Sequence, residues 1–417
     1  MDALTLVLAA TAVAGLYMAW NIGANDVANA MGTSVGSGAL SLRTALLIAA
    51  VFELAGALLA GDAVSTTIAE GIVDTPSLGV SPVLLAGGMA CSLIAASIWI
   101  HGATAYGYPV STTHSIVGAV LGFGLACNGA SHVHWDVLGT VVASWVLSPL
   151  LGGVGAFVLY RVVQQSVFER PSVDSAARLF AATAASAFAA GAAAYAFYDL
   201  DALPTLLHAQ AGGMHFAVIL VLSLVFAATF ATLARFRMSA DESAGKPPRA
   251  RAESVFAGLQ VLSACFIAFA HGSNDVANAA GPVAAAFRAL SGSTAEPTIP
   301  TNVLMIGACG IVLGLSTYGL RVMATIGREI TQLTPSKGFA AETSAALTIV
   351  ACSALALPVS TTAVLIGAVV GVGLHRTLDA INLRVLRSIA LSWLFSVPTA
   401  ALLSAVLTLL LRMVISE

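Results

Sequence analysis

Long apolar stretches alternate with short polar ones along this chain. Twelve apolar segments stand out, at residues 3–20, 44–60, 83–99, 114–128, 137–160, 179–198, 214–234, 255–271, 302–320, 340–357, 360–375 and 388–412. Most approach the roughly 17–25 residues that an α-helix needs to cross a bilayer. The strands of a membrane barrel would instead alternate apolar and polar positions over about 10 residues. The pattern predicts an all-α integral membrane protein with about twelve transmembrane or re-entrant helical segments. Segments 83–128 and 340–375 fit either full crossings or re-entrant helical hairpins. The start, Met1 to Trp20, has no basic n-region and no Ala-x-Ala site, so it reads as a first span and not as a cleaved leader.

Composition agrees with the pattern. The 417 residues are 58% hydrophobic and 9% charged, with a mean hydropathy of +0.93. A soluble domain carries about 25% charged residues, so this chain cannot cover a water-facing surface, and its partner is the lipid bilayer of a cell (plasma or inner) membrane. With a net charge of −3, nothing suggests a nucleic-acid partner, and none is expected. The five cysteines, Cys91, Cys127, Cys265, Cys309 and Cys352, form no C-x-x-C and read as small packing residues. The oligomeric state stays open, and a homodimer is compatible with the chain.

Lys and Arg in short loops set the orientation. The loops with Arg161, Arg170 and Arg178, with Arg321, Arg328 and Lys337, and with Arg376, Arg384 and Arg387 are expected in the cytoplasm, as is the basic linker from Arg235 to Arg251 with its Pro247-Pro248. Loops 61–82, 199–213 and 291–301 lack Lys and Arg but carry Asp62, Glu70, Asp74, Asp199, Asp201 and Glu296, and are expected outside. Counting crossings then places both termini outside.

Two motifs occur twice. Gly23-Ala24-Asn25-Asp26-Val27-Ala28-Asn29-Ala30 returns as Gly272-Ser273-Asn274-Asp275-Val276-Ala277-Asn278-Ala279, and Pro109-Val110-Ser111-Thr112-Thr113 returns as Pro358-Val359-Ser360-Thr361-Thr362, both at an offset of 249 residues. Pro109–Leu125 and Pro358–Leu374 match at 11 of 17 positions, including Gly118/Gly367, Gly122/Gly371 and Gly124/Gly373. One offset for two distant motifs means duplication of a half-protein. We divide the chain into a first repeat at 1–165, connecting helices with the basic linker at 166–254, and a second repeat at 255–417. The first Asn-Asp motif leads to the inside loop at Arg43 and the second to the outside loop 291–301, so the repeats run in opposite directions. Inverted repeats are typical of secondary transporters, with substrate near the midplane between them.

The motifs carry the chemistry. A carboxylate at the bilayer centre costs roughly 2.5–3.5 kcal/mol or more, so Asp26 and Asp275 need partners or a cation. Asn25 and Asn29, like Asn274 and Asn278, share a helix face, and each Asp is an i, i+3 neighbour of the second Asn. Gly23 is expected to let the helix break, exposing carbonyls beside the acid; all-oxygen ligation suits a hard cation such as Na⁺. Helix capping by Asn and Asp is the plainer alternative. In the second motif, proline stops the preceding helix near Tyr108 and near Leu357, and a new helix starts with hydroxyl residues. Such N-termini bind oxyanions, with Ser111, Thr112, Thr113, Ser360, Thr361 and Thr362 adding hydroxyl donors; an ordinary N-cap is again the alternative. Neutral donors facing acids bind an anion only once a cation or proton offsets the carboxylates, and that condition is symport. Glu53 and Glu342 are further Na⁺ candidates, although Glu53 also fits a structural acid and Glu342 a helix N-terminus. His114 has Ala363 as its equivalent and so stands outside the symmetric core, and His132-x-His134 reads as a solvated loop.

The stretches Gly23–Leu42 and Phe269–Gly281 and both Pro-Val-Ser-Thr-Thr motifs resemble the inorganic phosphate transporter (PiT) family of secondary symporters, over nearly the whole chain. The resemblance implies phosphate at the two Ser-Thr-Thr triplets, Na⁺ (alternatively H⁺) at Asn25, Asp26, Asn274 and Asp275, and no enzymatic cofactor. The continuation Gly32-Thr33-Ser34-Val35-Gly36-Ser37 is most similar to the sodium-coupled members. Ala363 stands where the family often has His, and Ser273 where Ala is common; some relatives carry sulfate. Two other classes compete: an intramembrane aspartyl protease, which also pairs two membrane acids but has no use for duplicated triplets, and a passive anion channel, which needs no cation gradient.

Overall fold

The computed structural model describes residues 3–74, 78–106, 110–198, 212–292, 299–318, 333–375 and 383–415. Among these residues the regular structure is helical, joined by short turns and loops, apart from a single antiparallel bridge between Val73 and Val133. We number the long helices α1 (Ala3–Gly36), α2 (Leu42–Ala60), α3 (Pro82–Ala105), α4 (Thr112–Asn128), α5 (Trp135–Val163), α6 (Val173–Tyr198), α7 (Gly212–Ser243), α8 (Pro248–Asp275), α9 (Ala277–Ser291), α10 (Thr301–Thr317), α11 (Pro335–Ala354), α12 (Thr361–Leu374) and α13 (Leu383–Ile415). Among the described residues, eight helical stretches are long and apolar enough to cross a bilayer, while α4, α10 and α12 are shorter apolar helices. The protein is a multi-pass membrane protein. The basic loop residues Arg321, Arg328 and Arg376, and the acidic Asp199, Asp201 and Glu296, lie outside the described residues.

Helix starts follow the sequence signals. Ser41, Ser81, Ser111 and Ser360 each cap a helix by accepting a backbone N–H, from Thr44, Leu84, His114 and Ala363 respectively. The outward faces are apolar: Leu147, Leu150, Leu151, Val154 and Val158 of α5 are all exposed, a stripe that only lipid can cover.

Inside, the tightest contacts are backbone to backbone. A Cβ on Gly23 would overlap the Ile311 carbonyl, and one on Gly272 would overlap that of Glu53. Gly118 and Gly122 meet the carbonyls of Val397 and Ala401, and Gly367 and Gly371 those of Pro149 and Gly153. Small residues allow this close approach in lipid, where packing, and not water exclusion, holds helices together. Every one of these pairs joins an N-terminal helix to a C-terminal one: α1 to α10, α2 to α8, α4 to α13, and α5 to α12. The halves are interlocked and do not stand side by side.

Two expectations need correction, and the segment count is refined. The helix does not break at Gly23; α1 runs unbroken through the first Asn-Asp motif, because Gly23 serves close packing and the motif's polar groups find tertiary partners. The second motif spans a one-residue interruption at Val276, whose φ of −57° and ψ of −31° stay helical. Twelve apolar segments become thirteen long helices among the described residues. The addition is α9, whose Asn278, Pro282 and Arg288 interrupt its apolar pattern. Glu342 does not begin its helix, since α11 starts at Pro335, where Glu253 binds both the backbone N–H and the hydroxyl of Ser336.

Candidate functional site

The two motif pairs meet in one buried cluster. Asp26 Oδ1 accepts from Asn29 Nδ2 at 2.6 Å and from Thr362 Oγ1 at 3.2 Å, and Oδ2 accepts from Thr112 Oγ1 at 2.9 Å. Across the cluster, Asp275 Oδ2 accepts from Thr361 Oγ1, also at 2.9 Å. Thr112→Asp26 and Thr361→Asp275 are the same bond in the two copies, displaced by the 249-residue offset. Other bonds cross between copies: Asn29 Nδ2 donates to Thr362 Oγ1 at 2.6 Å, Asn278 Nδ2 to Thr112 and Thr113 hydroxyls at 3.4 and 3.3 Å, and Thr113 Oγ1 to the Val359 carbonyl at 3.0 Å. Ligand atoms of Asp26, Asp275 and His271 all lie within 4.8 Å of one another. All of these side chains are buried.

Local sequence places each group. Asp26 and Asn29 sit one turn apart on α1, and Asp275 and Asn278 straddle the α8–α9 junction. Ser111 and Ser360 occupy the N-cap positions of α4 and α12, so the next residues begin the helices with N–H groups that lack an intrahelical acceptor. The triplets thus present two donor-rich helix ends toward the acids. Asn25 Nδ2 donates to Thr104 Oγ1 at 2.8 Å, and Asn274 Nδ2 to Ser353 Oγ at 3.0 Å and the Leu357 carbonyl at 3.2 Å.

Three buried oxygens here accept no hydrogen bond: Asn25 Oδ1, Asp275 Oδ1 and Asn278 Oδ1. Buried polar atoms are normally satisfied. Acceptors left open beside two carboxylates, with no Lys or Arg in ion-pair contact with either acid among the described residues, form a donor set of oxygens suited to a hard cation.

Glu53 and Glu342 part company. Glu53 reaches the cluster through His271, whose Nδ1 lies 3.3 Å from Glu53 Oε1 and whose Nε2 lies 3.0 Å from Asp275 Oδ2. Sequence reasoning passed over His271, although its i, i+4 spacing before Asp275 places both on one face of α8. Glu342 belongs to a separate group. Its Oε1 accepts from Thr33, Ser34 and Gln260 at 2.6, 2.6 and 2.9 Å, and its Oε2 from Ser263 at 2.6 Å. Thr33 lies seven residues beyond Asp26 on α1, roughly 10 Å along the axis. His114 packs against Trp145 and meets Trp393 edge-on, and His134 binds the Gly71 carbonyl.

Comparison with known proteins bears on this arrangement. The family described as "Phosphate transporter family" matches residues 22–404. The chain is 42% identical over 426 residues to inorganic phosphate transporter 2-1, chloroplastic, of Arabidopsis thaliana, covering 98% of this chain and 72% of that protein. A solved structure described as "The sodium-dependent phosphate transporter" superposes with a TM-score of 0.89 at 40% identity, covering 98% of this chain and 100% of that one.

Proposed function

This chain belongs to the phosphate transporter family, and from that premise we propose that it is a secondary transporter importing inorganic phosphate by Na⁺ symport, and not an enzyme. The observation that carries the reading is the convergence of Asp26, Asp275 and both hydroxyl triplets in one buried cluster. Phosphate is held by Ser111, Thr112, Thr113, Ser360, Thr361 and Thr362, with Asn25, Asp26, Asn274 and Asp275 beside it. Na⁺ is held by Asp26, Asp275, Asn25, Asn29 and Asn278, with Asn274 at the matching position of the second motif and Glu53 tied in through His271. Glu342, with the hydroxyls of Thr33, Ser34 and Ser263, offers a second group of oxygens, and the Gln260 amide faces it with its N–H.

The coupling follows from charge. Two carboxylates facing an oxyanion repel it by several kcal/mol at short range. A bound cation removes that repulsion, so anion and cation enter together. The halves repeat in opposite orientation, as their loop charges imply, and alternating access exchanges the site between the two sides. Both termini outside and a cytoplasmic Arg235–Arg251 linker belong to the same reading.

The experiment is uptake of labelled phosphate into proteoliposomes. An inward Na⁺ gradient drives uptake, excess sulfate leaves it unchanged, and a pH gradient without Na⁺ drives none. Uptake driven by the pH gradient alone, or equal uptake of sulfate, overturns the assignment of cation or substrate; conduction without any cation gradient overturns symport.

A further inference from the structure

The two Asn-Asp motifs match at seven of eight positions but differ in bonding. Asn274 spends its whole amide on the hairpin turn before α12. Nδ2 donates to Ser353 Oγ and to the Leu357 carbonyl, and Oδ1 accepts the backbone N–H of Val359 at 3.3 Å. That turn carries Ala356 at a φ of 55°, a left-handed conformation that a non-glycine residue adopts at a cost. Asn274 therefore braces a strained segment, and both ends of its amide are occupied.

Asn25 is bonded otherwise. Its Nδ2 donates to Thr104 Oγ1 at 2.8 Å, and its Oδ1 is buried with no donor. Thr104 is the penultimate residue of α3, as Ser353 is of α11, and the two stand at the same 249-residue offset as the motifs. Both hydroxyls are buried. An amide is planar, so with Nδ2 donating to Thr104 the Oδ1 atom is turned to the opposite side. Turned over, the amide would bury an NH₂ group at that place, and a donor there repels a cation where an oxygen binds it.

We propose that Thr104 is a positioning residue that holds the Asn25 carbonyl oxygen available to the coupling cation, and that Asn274, despite its near-identical motif, is a structural clamp of the second hairpin and not a cation ligand. The proposal rests on Na⁺ symport and narrows it: the cation contacts are lopsided between the two halves.

The test uses Thr104→Val, which keeps the side-chain shape and removes the acceptor, and Thr104→Ser, which keeps the acceptor. Na⁺ half-saturation of phosphate uptake is measured in proteoliposomes, and Na⁺-dependent thermal stabilisation is measured on the purified protein. Loss of one neutral buried hydrogen bond corresponds to about a fivefold rise in Na⁺ half-saturation. We expect that rise in Thr104→Val with maximal uptake retained, near wild-type behaviour in Thr104→Ser, and no added effect of Thr104→Val on an Asn25→Ala background, since a positioning residue acts only through the group it positions. Asn274→Ala is expected to lower the unfolding temperature without raising the Na⁺ concentration needed for half-maximal stabilisation. Wild-type Na⁺ dependence in Thr104→Val, full additivity with Asn25→Ala, or a Na⁺ shift in Asn274→Ala equal to that of Asn25→Ala overturns the proposal. A wild-type protein indifferent to Na⁺ overturns the symport reading itself, so the two failures are distinguishable.

Discussion

Replacing Asp275 by Asn separates ligand chemistry from folding. In the structure Asp275 Oδ2 receives the Thr361 hydroxyl and lies 3.0 Å from His271 Nε2, whereas Oδ1 accepts nothing. An amide with its oxygen at the Oδ2 position keeps the Thr361 bond and sets NH₂ where the open oxygen was. Volume hardly changes, so no cavity forms. What disappears is a full negative charge at the cation site. Two unit charges 4 Å apart attract by about 4 kcal/mol at an effective dielectric constant of 20, and each 1.4 kcal/mol is a factor of ten. Asp275→Asn is therefore expected to raise the Na⁺ concentration for half-maximal phosphate uptake about a thousandfold, which abolishes coupled uptake at ordinary Na⁺. The assay is a Na⁺ titration of labelled phosphate uptake in proteoliposomes, with the unfolding temperature of the purified variant measured with and without Na⁺. The expected protein unfolds near the wild-type temperature without Na⁺ and gains no stability from it. A Na⁺ half-saturation within about tenfold of wild type would refute the reasoning, because the attraction assigned to the carboxylate would then be absent.

Two further substitutions probe the cross-links between halves. Thr362→Val removes the hydroxyl that donates to Asp26 and accepts from Asn29. Loss of one bond to a charged group, about 1.5–3 kcal/mol, is expected to raise the phosphate half-saturation at least tenfold, and Thr362→Ser to restore it; uptake titrations decide. Gly272→Leu drives a side chain into the Glu53 carbonyl and forces α2 from α8. A loss of about 3 kcal/mol is expected as a lowered unfolding temperature, whereas Gly139→Ala on α5, with open space around it, unfolds at or above the wild-type temperature.

The candidate site was legible in the sequence as far as its polar groups were local and repeated. Asp26, Asp275 and the two hydroxyl triplets stand out because lipid tolerates such residues only where they meet partners, and a shared offset pairs them. His271 escaped notice because a single histidine in an apolar run carries no periodic signal until Glu53 is seen on the neighbouring helix. The position of Glu342 within its helix was not legible, because the acid that binds the first turn, Glu253, lies 83 residues before Ser336.

Hydropathy, composition and internal repetition are properties of the chain taken one residue after another. They alone determined that this protein is helical, resides in a membrane, is built twice over, and buries two acids opposite two helix starts. Only the tertiary structure decided how those pieces interlock, since the partners are far apart along the chain: Asn29 and Thr362 are separated by 333 residues, Thr33 and Glu342 by 309. Near-identical motifs acquired different duties, Asn25 with an open oxygen and Asn274 with none, because each amide's bonds are set by the neighbours the fold supplies and not by the motif that contains it.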